Sequence, residues 1–265
     1  MLVLVELDDR VATVTLNRPE ARNAISAELH GQLDEAITGL DVRDDVGCIV
    51  LTGADPAFCA GMDLKSLATE LRAVQKERQR GPARRAGMMP PHDTPVIGAI
   101  NGPTVTGGLE LAMCCDFLIA SERARFADTH ARVGVMPGGG MTIRLPQLVG
   151  IDRARRMSLT GDYIDAGTAR DWGLVTEVVP HESLLERARD VAATIASIPG
   201  EYLCELRRGY DEIGALTGPE AFLAEASWSR SWMAERFDQS RLSTEREKIV
   251  ARGREQNTGL DGTPA

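Results

Sequence analysis

One glutamate stands in an otherwise apolar helical pattern, within the segment INGPTVTGGLELAMCC at residues 100–115. Burying a charged carboxylate among apolar side chains costs free energy, so burial would favour the neutral form of Glu110. A carboxyl group that exchanges its proton readily is suited to general acid–base catalysis. The alternative is structural, with Glu110 accepting hydrogen bonds from nearby backbone N–H groups.

Three glycine-containing loops each precede a helical pattern, at residues 57–65, 101–110 and 134–140. Glycine lets another molecule approach the backbone closely, and free N–H groups at the start of a helix attract negative charge. Each loop alone more often marks a tight turn than a ligand site. Together the three loops predict a site in which backbone amides hold a negatively charged group.

The elements that position these loops follow from the hydrophobic pattern. Residues 2–7 and 11–17 are typical of a β-hairpin. Ser26 is a candidate cap for a helix with apolar residues at helical spacing, namely Leu29, Leu33, Ile37 and Leu40. Further strands are predicted at Cys48–Thr52, Val96–Ile100, Phe117–Ala120 and Leu174–Val179. Strands that alternate with helices indicate a largely parallel sheet with both faces covered.

From Pro180 onward the strand pattern ends and the sequence becomes helical. An amphipathic helix extends to residue 198, and further helices are predicted near 201–213, 219–237 and 242–254. A long helical appendage of this kind often docks on a neighbouring subunit. The predicted division is a core at 1–198, a helical oligomerisation region at 199–256 and a disordered tail at 257–265.

Composition and charge exclude several classes of protein. The 265 residues carry a net charge of −9, which argues against non-specific binding of nucleic acid. Five cysteines lack metal-ligand spacing, so we expect reduced thiols and no metal site. The first residues lack the pattern of a signal peptide, and no apolar run is long enough to span a membrane. These features predict a cytoplasmic protein.

The segments NRPEARNAIS, AFCAGMDL, INGPTVTGGLELAMCCDFLIAS, ARFADTHARVGVMPGGG and GLVTEVVP resemble the enoyl-CoA hydratase/isomerase (crotonase) superfamily in order and spacing. The resemblance covers roughly residues 1–200 and implies an α/β fold, a crotonase-like spiral of ββα units with a C-terminal all-helical oligomerisation region. It also implies a homotrimer or a dimer of trimers. The substrate would be an acyl-CoA thioester that brings coenzyme A with it, with no permanently bound cofactor.

The resemblance further implies roles for individual residues. The two N–H groups of the family's oxyanion hole fall on Met62 and Gly107, and the first catalytic glutamate falls on Glu110. Gly138 corresponds to a position whose N–H helps to hold the reacting water. The implied coenzyme-binding residues are Arg22, Ala60, Asp63 and Lys65, of which Ala60 would offer its carbonyl to the adenine and Lys65 would face the phosphates.

The sequence departs from the family at His130, where the second catalytic glutamate would fall. In hydration, one carboxylate activates water for attack at Cβ and a second acid protonates Cα. His130 can shuttle protons, because an imidazole changes charge near neutral pH, or it can be a structural histidine. Asp128 is a weaker substitute acid, which would share a face with His130 only if the segment were extended.

Four functions remain to be weighed. The favoured one is an enoyl-CoA hydratase with Glu110 as base and His130 or water as its partner. Another reaction of the same scaffold (isomerisation, thioester hydrolysis or decarboxylation) is the alternative, although the missing second glutamate counts against isomerisation. A non-catalytic acyl-CoA binder would gain by replacing Glu110. A nucleotide-binding redox protein is excluded because no GxGxxG motif follows the first strand.

Overall fold

Two β-sheets form the framework of the computed structural model, which describes residues 1–63, 87–237, 245–246 and 248–253. The strands are β1 (Val3–Asp8), β2 (Val11–Leu16), β3 (Cys48–Gly53), β4 (Val96–Ile100), β5 (Pro103–Val105), β6 (Phe117–Ser121), β7 (Arg125–Ala127), β8 (Ile164–Asp165) and β9 (Glu177–Val179). The larger sheet has the order β1-β2-β3-β4-β6-β9, and the smaller sheet has the order β5-β7-β8.

The larger sheet is parallel from β2 to β9, and only the hairpin strand β1 runs antiparallel to its neighbour. Every residue of β3 and β4 is buried, as expected for central strands covered on both faces. The predicted hairpin and parallel sheet are therefore confirmed. The last strand is shorter than predicted, because Leu174 belongs to the turn that ends a helix, where its N–H donates to the Ala169 carbonyl at 2.8 Å.

The helices of the described segments are α1 (Ala27–Asp41), α2 (Gly107–Ala112), α3 (His130–Val133), α4 (Met141–Val149), α5 (Ile151–Thr160), α6 (Ala166–Trp172), α7 (Leu184–Ala196), α8 (Gly200–Ile213) and α9 (Pro219–Glu235). Ser26 caps α1 as predicted, since its hydroxyl oxygen accepts the Leu29 N–H at 3.2 Å. The four apolar residues predicted to face the core from α1 are buried. None of the described helices is both long and apolar enough to cross a membrane.

The hydrophobic core lies on both faces of the larger sheet. On one face, α1 and the smaller sheet enclose a cluster that includes Phe58, Leu109 and Phe126. On the other face, α7 packs against β3 and β4 through small side chains such as Ala188 and Ala192. The loops that follow β3 and β4 are thereby anchored at their bases, and these loops contain the candidate site.

The chain divides into two compact units, Met1–Arg207 and Arg208–Ala265. Within the second unit, Gly209 lies against the ring of Trp228, where a Cβ would come within 3.0 Å of the ring. The predicted helices at 201–213 and 219–237 correspond to α8 and α9. Residues 248–253 are helical, whereas the rest of the predicted stretch 242–254 lies partly, and the tail 257–265 wholly, outside the described residues. The division predicted at residue 198 stays a prediction.

Asn23 joins the first of these loops to the start of the chain. It is fully buried and has a left-handed backbone conformation, with φ of +55°. Its side-chain amide donates to the carbonyls of Ala54 (2.8 Å) and Ala57 (2.7 Å), while its oxygen accepts the Arg18 N–H at 2.8 Å. One side chain therefore satisfies three backbone groups that flank the candidate site.

Replacing Asn23 with alanine should lower the free energy of unfolding by about 3 kcal/mol, because three backbone groups lose their partners. Urea denaturation followed by circular dichroism measures this loss. Asn23→Gly tolerates the left-handed conformation but cannot make the hydrogen bonds, so it should be nearly as destabilised. Native-like stability of Asn23→Gly would show that backbone conformation, rather than hydrogen bonding, decides this position.

Candidate active site

Residues 59–63 form an extended segment that pairs on one side with Ile25. The Ile25 N–H donates to the Gly61 carbonyl at 2.8 Å, and the Asp63 N–H donates to the Ile25 carbonyl at 2.9 Å. In this parallel pairing the intervening Met62 amide faces away from Ile25, toward the chain that enters α2. The Met62 N–H has no acceptor among the described residues.

Gly107 begins α2, and its amide lies close to that of Met62. A Cβ placed on Gly107 would lie 3.5 Å from the Met62 nitrogen and 3.3 Å from Met62 Cγ. Within the described parts of the chain, the Gly107 N–H also lacks an acceptor. Two unbonded amides from separate segments therefore adjoin one small space.

Thr106 holds the approach to Gly107 in a strained conformation. Its φ of +55° and ψ of −112° are unusual for a β-branched residue. The Thr106 N–H donates to the Ala127 carbonyl at 2.9 Å, and its hydroxyl shares a 2.6 Å hydrogen bond with the hydroxyl of Thr129. These contacts fix the peptide that carries the Gly107 amide. Sequence reasoning missed Thr106, because a threonine gives no signal for positive φ.

Glu110 is buried, with 3% of its surface exposed, and its two carboxylate oxygens have different surroundings. Oε1 accepts the N–H groups of Gly139 (2.7 Å) and Met141 (3.2 Å). Oε2 lies 3.7 Å from Nε2 of His130. Oε1 therefore has the structural role considered for Glu110, in which it accepts backbone N–H groups. Oε2 instead faces the imidazole ring of His130.

His130 is the first residue of α3 and is held by Asp128. The Nδ1 atom of His130 lies 2.6 Å from Asp128 Oδ1, which also accepts the His130 backbone N–H at 3.2 Å. The expected requirement for an extended segment is wrong, because the Asp128 side chain turns back to meet the residue two positions on, as in an Asx-turn. Thr129 between them has φ of −102° and ψ of 13°.

The second oxygen of Asp128 accepts the Ser158 hydroxyl of α5 at 2.5 Å. Burial raises the pKa of Asp128, but hydrogen bonds from His130 and Ser158 outweigh it and hold that pKa below its usual range. Asp128 is therefore ionised at neutral pH. Sequence reasoning missed Ser158, since it lies 30 residues from Asp128 and no local spacing links them.

The glycine loop before α4 reaches Glu110 through Gly139 rather than through Gly138. Gly139 is buried against the carboxylate, and a Cβ there would lie 2.9 Å from Glu110 Cδ and 2.7 Å from Met88 Cγ. Gly138 is exposed, and a Cβ there would meet nothing within 4 Å. The role of the Gly138 N–H in holding water stays a prediction.

The predicted coenzyme-binding residues fall into three groups. The Ala60 N–H donates to the Arg22 carbonyl at 3.0 Å, so the segments of Arg22 and Ala60 lie together, and the Arg22 side chain is exposed. Asp63 forms an ion pair with Arg18, with 2.7 Å between Asp63 Oδ2 and Arg18 Nη1. Lys65 lies outside the described residues. Contacts of these residues with coenzyme A stay predictions.

The cysteines are free thiols, and four of the five are buried. Burial raises the pKa of both Cys48 and Cys59 to about 12, so these thiols are neutral. Among the described residues, no group of three or more histidine, cysteine, aspartate or glutamate side chains is arranged to hold a metal ion.

Comparisons with known proteins agree with the fold and identify the family. A family model described as enoyl-CoA hydratase/isomerase matches residues 6–249. A probable enoyl-CoA hydratase of Mycobacterium bovis is 40% identical over 198 residues, which cover 74% of this chain and 76% of that relative. A mitochondrial enoyl-CoA hydratase of Pongo abelii is 40% identical over 190 residues, which cover 72% of this chain and 65% of the relative.

Solved structures show the same similarity. The crystal structure of an enoyl-CoA hydratase from Mycobacterium smegmatis is 50% identical, with a TM-score of 0.73 over 88% of this chain and 99% of that one. An enoyl-CoA hydratase from Bacillus anthracis is 31% identical, with a TM-score of 0.82 over 94% of this chain and 97% of that one.

The fold and the site define an α/β enzyme scaffold in which a buried carboxylate and a histidine lie among glycine-rich loops with unbonded amides. The chain belongs to the enoyl-CoA hydratase/isomerase family. The expected fold, a crotonase-like spiral with C-terminal helices, is confirmed.

The contact between Gly139 and Glu110 can be tested with paired variants. Gly139→Ala should lower the melting temperature and the turnover, because its Cβ would lie 2.9 Å from Glu110 Cδ and must displace the carboxylate. Gly138→Ala is the matched control for the melting temperature, since its Cβ would enter open space. Equal melting temperatures for the two variants would contradict the close packing of Gly139 on Glu110.

Proposed function

We propose that this chain is an enoyl-CoA hydratase that adds water to a trans-2-enoyl-CoA thioester, with an oxyanion hole at Met62 and Gly107 and with Glu110 as the base. The observation that carries the proposal is the placement of two unbonded amides near each other on the scaffold that also buries Glu110. Relatives that are named enoyl-CoA hydratases and are 40% identical support hydration as the reaction.

The amides of Met62 and Gly107 would act on the thioester oxygen. Attack of water at Cβ moves electron density onto that oxygen, so donors placed there stabilise the transition state more than the ground state. Each such donor is typically worth about 2.7–4 kcal/mol. Because both amides lack other acceptors among the described residues, they need not break a hydrogen bond to bind the substrate.

Glu110 would take a proton from the attacking water. Its Oε1 is occupied by the N–H groups of Gly139 and Met141, which leaves Oε2 for the water. The Gly138 N–H would help to hold this water. His130, 3.7 Å from Oε2, would be the partner that protonates Cα. A carboxylate facing a histidine also supports an enzyme rather than a passive acyl-CoA binder.

Coenzyme A would enter with the substrate, so no permanently bound cofactor is proposed. Arg22, Ala60, Asp63 and Lys65 would contact it, with the Ala60 carbonyl at the adenine and Lys65 at the phosphates. The exposure of the Arg22 side chain, next to the Ala60 segment, supports this part of the proposal. The reaction would make the protein a lyase of fatty acid metabolism.

A homotrimer or a dimer of trimers is the proposed assembly. No residue of α9, all of which is described, is buried, although Phe222 is 75% exposed and Leu223 is 70% exposed. Large apolar side chains that are exposed on one helix favour contact with another subunit. We also propose a cytoplasmic location, in agreement with five cysteines that form no disulfide.

Glu110→Gln tests the base directly. Turnover of a 2-enoyl-CoA, followed by loss of the conjugated thioester absorbance, should fall at least about 10²-fold. The glutamine oxygen can still accept the two loop N–H groups, so the fold should be retained. Glu186→Gln, at an exposed position on α7, is the control and should keep full turnover. Undiminished turnover of Glu110→Gln would show that Glu110 is not the base.

Gly107→Ala tests the oxyanion hole. Its methyl group would lie 3.5 Å from the Met62 nitrogen, in the space that both amides adjoin, so kcat/KM should fall about 10²- to 10³-fold. Gly31→Ala, where a Cβ would meet nothing within 4 Å, is the matched control. If Gly107→Ala kept its kcat/KM while thermal melting showed an intact fold, the thioester oxygen would have to bind elsewhere.

A further inference from the structure

Four side chains from three helices and one loop form a continuous chain of polar contacts. Ser158 of α5 donates to Asp128 at 2.5 Å, Asp128 contacts Nδ1 of His130 at 2.6 Å, and Nε2 of His130 lies 3.7 Å from Glu110 Oε2. Asp128, His130 and Glu110 are all buried. The proposed hydration uses Glu110 and His130, but it assigns nothing to Asp128 or Ser158.

The hydrogen bonds of Asp128 determine where the proton of His130 lies. An ionised carboxylate can only accept, so the 2.6 Å contact requires a proton on Nδ1 of His130. Both carboxylate oxygens are engaged, Oδ1 by His130 and Oδ2 by the Ser158 hydroxyl. The ring is therefore oriented with Nδ1 toward Asp128 and Nε2 toward Glu110.

The ionisable groups that face His130 from the described residues are two carboxylates. Glu110 lies on the Nε2 side and Asp128 on the Nδ1 side. Arg132, on the same helix as His130, instead donates to the Thr160 carbonyl at 2.7 Å. Carboxylates therefore lie on both sides of the ring.

We propose that Asp128, held by Ser158, is the positioning residue that presents His130 Nε2–H as the proton donor of the site. We further propose that His130 and Glu110 recycle one proton between turnovers. This inference rests on the proposed hydration and adds a mechanism for the acid. Asp128 and Ser158 touch neither substrate nor reacting atoms, so both act through His130.

The proposed step balances in atoms and charge. Water loses one proton to Glu110 Oε2 as its oxygen bonds to Cβ, and the π electrons of the double bond move toward the thioester oxygen. As the enolate collapses, Cα takes the proton of His130 Nε2. Glu110 is then neutral and His130 is neutral, and transfer of the proton from Oε2 to Nε2 restores both.

That transfer requires only a small movement. The 3.7 Å separation exceeds a hydrogen bond, and closing it to bonding distance needs a shift of about 1 Å. Because Gly139 and Met141 hold Oε1, rotation of the carboxylate about that anchor can supply the shift. No co-reactant beyond water and the enoyl thioester is needed.

The test is the pH dependence of kcat/KM in Asp128→Asn, Ser158→Ala and Ser158→Thr. Asp128→Asn should lower kcat about tenfold or more and move the alkaline limb of the pH profile toward lower pH, because the ring loses the carboxylate that adjoins Nδ1. Ser158→Ala should shift the limb less, in the same direction. Ser158→Thr keeps the hydroxyl and should restore the native profile.

Asp165→Asn is the control, since Asp165 caps α6 and asparagine caps equally well. It should leave the profile unchanged. A uniform loss of rate at every pH in Asp128→Asn and Ser158→Ala, or profiles identical to native, would overturn the positioning role. If Asp128→Asn does not fold, Ser158→Ala and its threonine rescue still decide the question.

The two proposals fail in distinguishable ways. If Glu110→Gln abolishes turnover while the Asp128 and Ser158 variants keep the native alkaline limb, the hydration proposal is supported and the positioning role of Asp128 is contradicted. If the native protein does not hydrate 2-enoyl-CoA thioesters, the hydration proposal is contradicted, and so is the role of Asp128 and His130 that rests on it.

Discussion

The hydrogen bonds from Gly139 and Met141 to one oxygen of Glu110 are the constraint on which the site depends. They tie α2 to the loop before α4 and compensate part of the cost of burying a carboxylate. As a result, the two carboxylate oxygens of Glu110 have different neighbours. One oxygen accepts the two loop N–H groups, and the other lies 3.7 Å from Nε2 of His130, where the proposed mechanism places proton transfer. A buried carboxylate that accepts two N–H groups of its neighbouring loop resists displacement.

Close approach of backbones makes this arrangement possible. A Cβ at Gly108 would overlap the Cys59 carbonyl, so only glycine lets the chain entering α2 lie directly against the segment 59–63. The same contact brings the Met62 and Gly107 amides together. Thr106 is held with φ of +55° by its hydroxyl bond to Thr129. Strain here is compensated by hydrogen bonds, as is common where backbone geometry serves a site.

Sequence patterns predicted what depends on local periodicity. The cap at Ser26, the opening hairpin and the central strands each follow from residues a few positions apart, and each was confirmed. The strands β5, β7 and β8 were not predicted, because segments of two or three residues carry no period. Ser158 was missed for a related reason: its bond to Asp128 is made by the packing of α5, which no spacing in the sequence records.

In the proposed mechanism, the histidine at the position of the family's second glutamate would change the charge balance of the site less than its residue type suggests. Hydration through two glutamates needs one ionised and one protonated carboxyl, with a combined charge of −1 and one proton to donate. In the proposed mechanism, ionised Glu110 and Asp128 with His130 carrying a proton on each nitrogen would also sum to −1 and would also hold one transferable proton. Asp128 is held ionised by its hydrogen bonds with Ser158 and the ring. Asp128 and the protonated His130 together would then carry no net charge, as a neutral glutamic acid does, and the proton donor would be a nitrogen atom. Without Asp128, ionised Glu110 and a protonated ring would sum to zero rather than −1, so the histidine would match the charge of the two-glutamate site only together with its adjoining carboxylate.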